Sequence, residues 1–462
     1  MSRSLNSIDI ETTSSKERLL LIFMLTWPAL AENVLATLVS IADTMMVSVL
    51  GTTAVSAVGL VTQPRFIMLS AFMALGIGST AIIARCKGAG NRDEANHALS
   101  QSIVLSVLIL AVLCTIMRIY AEPLIRFIAG KGISEEAIMY AYDYLVIQIY
   151  GFPFLGLTFI MNACLRGAGN TRAAFYSNTA ANLVNVFFNY CFITGELGFP
   201  RLEVAGASLA TVIGQIVAFL ITLILLSGNS QYIKLKFRSL LKVDGKMIGR
   251  IVKIGIPAAV EQIIMRAGMM LFTLIATSLG DIQYSSHIIA MNIQSLSFTT
   301  GMSFGTAATT ITGQCLGRKN HNLAKDYIKT IQNLGYAVSL LVSAALFFFG
   351  GSIASLYDIP TNKTEVVKAV AMVLRIVAVV NMTSNARFVY NSALRGAGDS
   401  RYTAFTTTAG ILVTRPIVAS LLVYVFDLGL SGLWIALSSD AIVCYILAKI
   451  RWHKEKWAYI KV

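Results

Sequence analysis

The chain has 462 residues, 13% of them charged and 56% hydrophobic, with mean hydropathy +0.70 and a formal net charge of +14. Soluble domains carry roughly 25% charged residues, so this composition excludes a water-soluble globule and requires lipid as the solvent. The basic excess needs no nucleic-acid partner, because the membrane topology accounts for it.

The first 18 residues are polar and lead into an apolar stretch over 19–49 that contains Pro28, Glu32 and Asp43. This opening lacks the short apolar core and small-residue cleavage site of a removed signal peptide. Further stretches of spanning length follow at 53–84, 98–120, 138–163, 173–195 and 205–227. A second series lies at 248–279, 283–315, 326–350, 365–393, 402–426 and 430–450. A bilayer needs about 20 apolar residues per helix, so about twelve transmembrane helices are expected, the longest tilted or reaching beyond the membrane. Barrel strands would instead alternate apolar and polar residues over about ten positions.

The second series copies the first. Leu165-Arg166-Gly167-Ala168-Gly169-Asn170-Thr171-Arg172 recurs as Leu394-Arg395-Gly396-Ala397-Gly398-Asp399-Ser400-Arg401, an offset of 395 − 166 = 229. The same offset carries Trp27-Pro28-Ala29 and Glu32 onto Ile256-Pro257-Ala258 and Glu261, and Cys86 and Gly88 onto Cys315 and Gly317. A gapless register of this length is a duplication. Six helices return each copy to the side where it began, which makes the copies parallel repeats about an axis along the membrane normal. The expected fold is therefore an all-α polytopic membrane protein, two six-helix lobes with a central cleft. The expected divisions are a cytoplasmic tail at 1–18, an N-terminal lobe at 19–229, a basic cytoplasmic linker at 230–247, a C-terminal lobe at 248–450 and a cytoplasmic tail at 451–462.

Lys and Arg set the orientation. They crowd the N-terminal tail (Arg3, Lys16, Arg18), alternate loops (Arg85, Lys87 and Arg92; Arg318, Lys319 and Lys325), the linker from Lys234 to Lys253, and the C-terminal tail from Arg451 to Lys461. The other loops hold little beyond Arg126, Lys131, Arg201 and Lys363. Both termini are expected in the cytoplasm, and the simplest location is a bacterial plasma membrane. The linker joins the halves and anchors the topology, with anionic-lipid binding as a second use.

Catalytic chemistry finds no support. Phosphate-loop, nucleophile-elbow and HExxH patterns are missing from the sequence. Six cysteines, at 86, 114, 164, 191, 315 and 444, form no CxxC pair and read as apolar packing residues. The four histidines are scattered, with no metal-ligand spacing. The sequon at Asn362 matters only in a host that glycosylates. An enzyme, a metal centre and an organic cofactor are not expected.

Polar residues inside the helices carry the functional signal, because they are costly there. Asp43 lies in the outer half of helix 1, and two readings stand: exchange of a proton or small cation in a cleft, or an interfacial cap. Glu32 and Glu261 each follow a helix proline by one turn, Pro28 or Pro257. A helix proline leaves a carbonyl unpaired and makes a place to bend. Each glutamate is either a switch beside that hinge or a lock onto a neighbouring helix, and Arg266 or Arg415 is the expected partner of Glu261. Asn178, Asn182, Asn185 and Asn189 are spaced to line one face of helix 5, as interhelical glue or as the wall of a watery cavity. Asn292, Gln294, Arg387 and Asp440 are weaker inward-facing candidates in the second half.

The Trp-Pro opening of helix 1, Ala42-Asp43-Thr44 near its end and the doubled Leu-Arg-Gly-Ala-Gly element together resemble the multidrug and toxic compound extrusion (MATE) family over essentially the whole chain. The resemblance implies alternating access and export of amphipathic, often cationic compounds in exchange for H+ or Na+. It implies an ion-coupling set of Asp43, Tyr144, Asn185 and Asn189, with Pro28 as the helix 1 bend. Proton-linked members often carry an aspartate where this chain has Asn189, which leaves the coupling ion open. Another branch uses a helix 7 glutamate about two turns after the proline. Here that position is Met265, and Glu261 matches it loosely. The competing readings are a flippase for lipid-linked saccharide precursors, which should line its cleft with many cations, and a channel, which has no need of paired prolines and acids. The partners expected are small molecules and the bilayer, with the protein as a monomer. Asp43 falls on Phe272 and Asn185 on Thr414 at the repeat offset, so the first lobe is expected to hold the main ion-sensitive site, with Glu261 second.

Overall fold

The computed structural model describes residues 14–130, 133–228, 231–240, 242–355, 357 and 363–460. Arg3, Lys131, Asn362 and Lys461, read above as topology or glycosylation markers, lie outside them. Among the described residues twelve long helices follow in order: α1 (Ser15–Ser48), α2 (Thr52–Gly88), α3 (Arg92–Ala129), α4 (Glu135–Gly167), α5 (Thr171–Thr194) and α6 (Glu203–Ser227) form the first series. The second is α7 (Gly245–Thr277), α8 (Asp281–Gly317), α9 (His321–Ser355), α10 (Lys363–Gly396), α11 (Ser400–Val425) and α12 (Gly429–His453). No strand occurs among the described residues. Ten of the helices are long and apolar enough to cross a membrane. The two that fall short are α5, with its asparagine stripe, and the Ser/Thr-rich α8.

Two compact units divide the chain, Trp27–Lys253 and a second made of Met1–Thr26 with Ile254–Val462. The first turns of α1 therefore belong with the second unit, where Leu21, Ile22 and Leu25 bury among Phe304, Ala307 and Ile311 of α8. The first turns of α7 belong with the first unit, where Arg250 Nη1 donates to Glu94 Oε1 at 2.6 Å. Each switch of unit falls just before the helix proline, Pro28 or Pro257.

The doubled motif builds the same turn twice. Gly169 and Gly398 take φ of 83° and 81°, a left-handed conformation that only glycine adopts without strain. The next residue's N–H then reaches back 2.8 Å to a helix carbonyl, Asn170 to Leu165 and Asp399 to Leu394. The first glycine of each motif serves a different end. A Cβ at Gly167 or Gly396 would run into the backbone of Thr80 or Thr309, so these glycines let α4 approach α2 and α10 approach α8. Thr80 and Thr309 complete the match, each donating its hydroxyl across that approach at 2.9 Å, to Ala163 and Ser392 carbonyls.

The linker is strapped to α3. Arg92 Nε donates to the Tyr232 carbonyl and Gln101 Nε2 to the Lys242 carbonyl, both at 2.7 Å. His97 Nε2 lies 2.9 Å from Asp244 Oδ2, and this hydrogen bond, with help from the Lys246 N–H, holds the Asp244 carboxyl below the usual carboxylate range. In the second unit α11 is irregular: π-helical segments Thr408–Thr414 and Leu421–Val425 flank Arg415–Ser420. Pro416 has no N–H to give the preceding turn, which favours the widened ladder.

Candidate functional site

Helices α1, α2, α4, α5 and α6 of the first unit surround a cavity of about 700 Å³. All four α5 asparagines line it, as their 4-3-4 spacing requires. Asp43 of α1 faces them. Asn189 Nδ2 donates to Asp43 Oδ1 at 2.6 Å. The Asn185 amide, turned so that its nitrogen meets the carboxylate, donates to both Asp43 oxygens at 3.0 and 3.2 Å, while its oxygen accepts from Thr211 Oγ1 at 3.2 Å. Tyr144 of α4 is buried and lines the same space. Asp43 forms no ion pair among the described residues. Its charge is thus held by neutral amide donors, which a proton or a small hard cation can displace without breaking a salt bridge.

Glu32 stands nearer the middle of α1 on the same cavity. Asn178 Nδ2 donates to its Oε1 at 2.6 Å, and Arg166 of the doubled motif lies 3.7 Å away. Both α1–α5 bonds join residues 146 apart. They form two rungs, one at each end of the asparagine stripe.

The second unit repeats the inner rung and not the outer. Glu261 is 2% exposed and pairs with Arg395, the motif arginine that matches Arg166. Thr407 and Thr403 hydroxyls donate to its two oxygens at 2.7 and 3.1 Å. This corrects the expectation that Arg266 or Arg415 partners Glu261: the internal repeat selects Arg395. Arg415 instead pairs with Asp440, which also lies 3.6 Å from Arg387, and all three are buried. Phe272, in the place of Asp43, lies under the Arg415 guanidinium at 5.3 Å. Asn292 is exposed.

The structure thus brings Asp43, Tyr144, Asn185, Asn189 and Glu32 to one cavity, and places Glu261 and Arg415 in two separate buried groups of the other unit. Pro28 and Pro257 lie inside continuous helices. Among the cavity residues not anticipated are Arg65 of α2, and Thr211 and Gln215 of α6. A lone arginine in an apolar stretch, directly after Pro64, was a readable signal for the first. Thr211 and Gln215 carry no signal, since single polar residues are common in membrane helices.

A protein-family model described as MatE matches residues 28–191 and 257–421, each segment beginning at a helix proline. The probable multidrug resistance protein NorM of Thermotoga maritima is 28% identical over 435 residues, covering 93% of this chain and 91% of its own. Multidrug resistance protein MdtK of Yersinia pseudotuberculosis is 26% identical over 447 residues, covering 94% and 95%. A solved structure, an outward-facing multidrug resistance MATE family transporter of the MOP superfamily, matches with TM-score 0.89 at 22% identity over 98% of this chain and all of its own, a likeness of fold.

Proposed function

The chain belongs to the MatE family of multi-pass membrane transporters, and from that premise we propose that it is a secondary active multidrug exporter. It exports amphipathic, often cationic compounds from the cell in exchange for inward H+ or Na+, by alternating access, as a monomer in the plasma membrane with both termini cytoplasmic. It uses no organic cofactor and catalyses no covalent step.

One observation carries this reading: a carboxylate with no ion pair among the described residues, held by amides in a cavity large enough for a drug-sized molecule. The chemistry is linkage. A proton or Na+ at Asp43 removes the acceptor that Asn185 and Asn189 hold and so opens the outer α1–α5 rung. The inner rung at Glu32 remains, so the part of α1 beyond it is released, while Pro28, one turn before that rung, is the hinge about which the rest of the helix bends. Cargo cation and coupling ion draw on the same negative charge, so each weakens the other's binding. Glu261, locked by Arg395 and two hydroxyls, is the secondary candidate and acts chiefly as a structural tie.

The flippase reading is not favoured, because Glu32, Asp43 and Arg65 give the cavity two acids against one base, a poor receptor for a pyrophosphate. Everted vesicles test the proposal. Asp43→Asn lowers ion-driven uptake of a cationic dye by about one to two orders of magnitude, and undiminished uptake would sink the role given to Asp43. A proton gradient alone and then a sodium gradient alone identifies the ion.

A further inference from the structure

Two side chains on different walls of the N-terminal cavity present hydrogen-bonding atoms that no described residue satisfies. Arg65 of α2 makes no hydrogen bond or ion pair among the described residues, and its Nε is buried without an acceptor. Gln215 of α6 is 7% exposed, and neither its amide oxygen nor its amide nitrogen has a partner. The two helices run in the same sense. At 1.5 Å per residue Arg65 lies roughly 20 Å past the start of α2 at Thr52 and Gln215 roughly 18 Å past the start of α6 at Glu203, so they share one depth. Asp43 lies only roughly 8 Å from the end of the antiparallel α1 at Ser48.

The fold does not require this charge. At the matched position of the other lobe stands Gln294, which is neutral. An arginine within a membrane that no described carboxylate pairs with directly points to a ligand. A guanidinium fork and a primary amide at one depth offer N–H donors suited to a carboxylate. We propose that Arg65 and Gln215 form a carboxylate subsite. The preferred cargo is then a zwitterionic amphiphile, its cationic end toward Asp43 and its carboxylate roughly 10 Å deeper. This rests on the exporter reading above and narrows its substrate class. The competing account is that Arg65 only moderates the charge of Asp43, which lies within its electrostatic range. That account predicts equal effects on cargo with and without a carboxylate.

The test uses a cationic rhodamine methyl ester and its free carboxylic acid, a pair differing only in the anionic group. In everted vesicles, Arg65→Gln, which installs the residue the other lobe already carries, lowers the ratio of acid to ester transport about tenfold. Gln215→Leu lowers it about threefold, and Arg65→Lys, which keeps the charge without the fork, falls between wild type and Arg65→Gln. An unchanged ratio in Arg65→Gln protein that reaches the membrane overturns the inference. Should neither variant reach the membrane, polarisation titrations of purified wild-type protein decide: the acid binds tighter than the ester, and equal or weaker acid binding overturns the subsite. Wild-type vesicles that move the ester and reject the acid overturn the subsite while leaving the exporter reading in place. Failure to move either dye counts against that reading and the subsite together.

Discussion

Where Asn185 and Asn189 of α5 hold Asp43, the matched residues of α11 are Thr414 and Val418, and Phe272 stands in place of the acid. One turn-motif away the lobes agree again, with Arg166 near Glu32 and Arg395 on Glu261. Duplication has kept the joints and changed the centres. In the first lobe the centre is a cavity with a displaceable carboxylate, and in the second it is closed around Asp440 and two buried arginines. A carboxylate bound by amides can change its charge at modest cost, whereas one tied to buried guanidinium groups cannot lose its charge without stranding them. The first arrangement suits ion exchange and the second suits a rigid scaffold.

Four comparisons, made with six substitutions, sharpen or break this contrast, taken from the largest expected effect. Asp43→Asn reduces ion-driven dye export by about one to two orders of magnitude, measured in everted vesicles, with little change in melting temperature. Equal loss from Glu261→Gln would show that the lobes share the coupling role. Asp440→Asn leaves Arg387 and Arg415 buried without their counter-charge and destabilises the protein by about 3–5 kcal/mol, read as a lowered melting temperature in detergent. A melting temperature within a degree of wild type would show that water reaches the triad. Between the paired glutamates, Glu261→Gln costs about 2–3 kcal/mol and Glu32→Gln about 1 kcal/mol, because Glu32 is more exposed and farther from its arginine. The smallest contrast is at the glycines: Gly167→Ala and Gly396→Ala each cost about 1–3 kcal/mol and should match one another, since both face the same threonine backbone. A large difference between them would mean that the lobes differ at their joints as well.

The fold was largely legible beforehand, since spanning length and the offset depend only on counting along the chain. Every expected span meets one helix, including α5, which its asparagines make too polar for hydropathy alone. The α5 stripe was readable from its spacing, but which acid it holds depends on how α1 lies against it, 146 residues away. The same distance problem hid the partner of Glu261, for Arg395 is 134 residues downstream while Arg266 is adjacent on the helix. Arg65 was readable as a lone charge in an apolar helix. Its orientation into the cavity was not, because α2 shows no pronounced amphipathic face.

The division of α1 between the units also governs how the protein is made. Leu21, Ile22 and Leu25 leave the ribosome about 280 residues before the α8 side chains that bury them. At roughly 5–20 residues per second they wait from about a quarter of a minute to a minute with that face open to lipid. A nascent chain arrested after α6 therefore carries a first helix whose opening turns still lack the side chains that bury them.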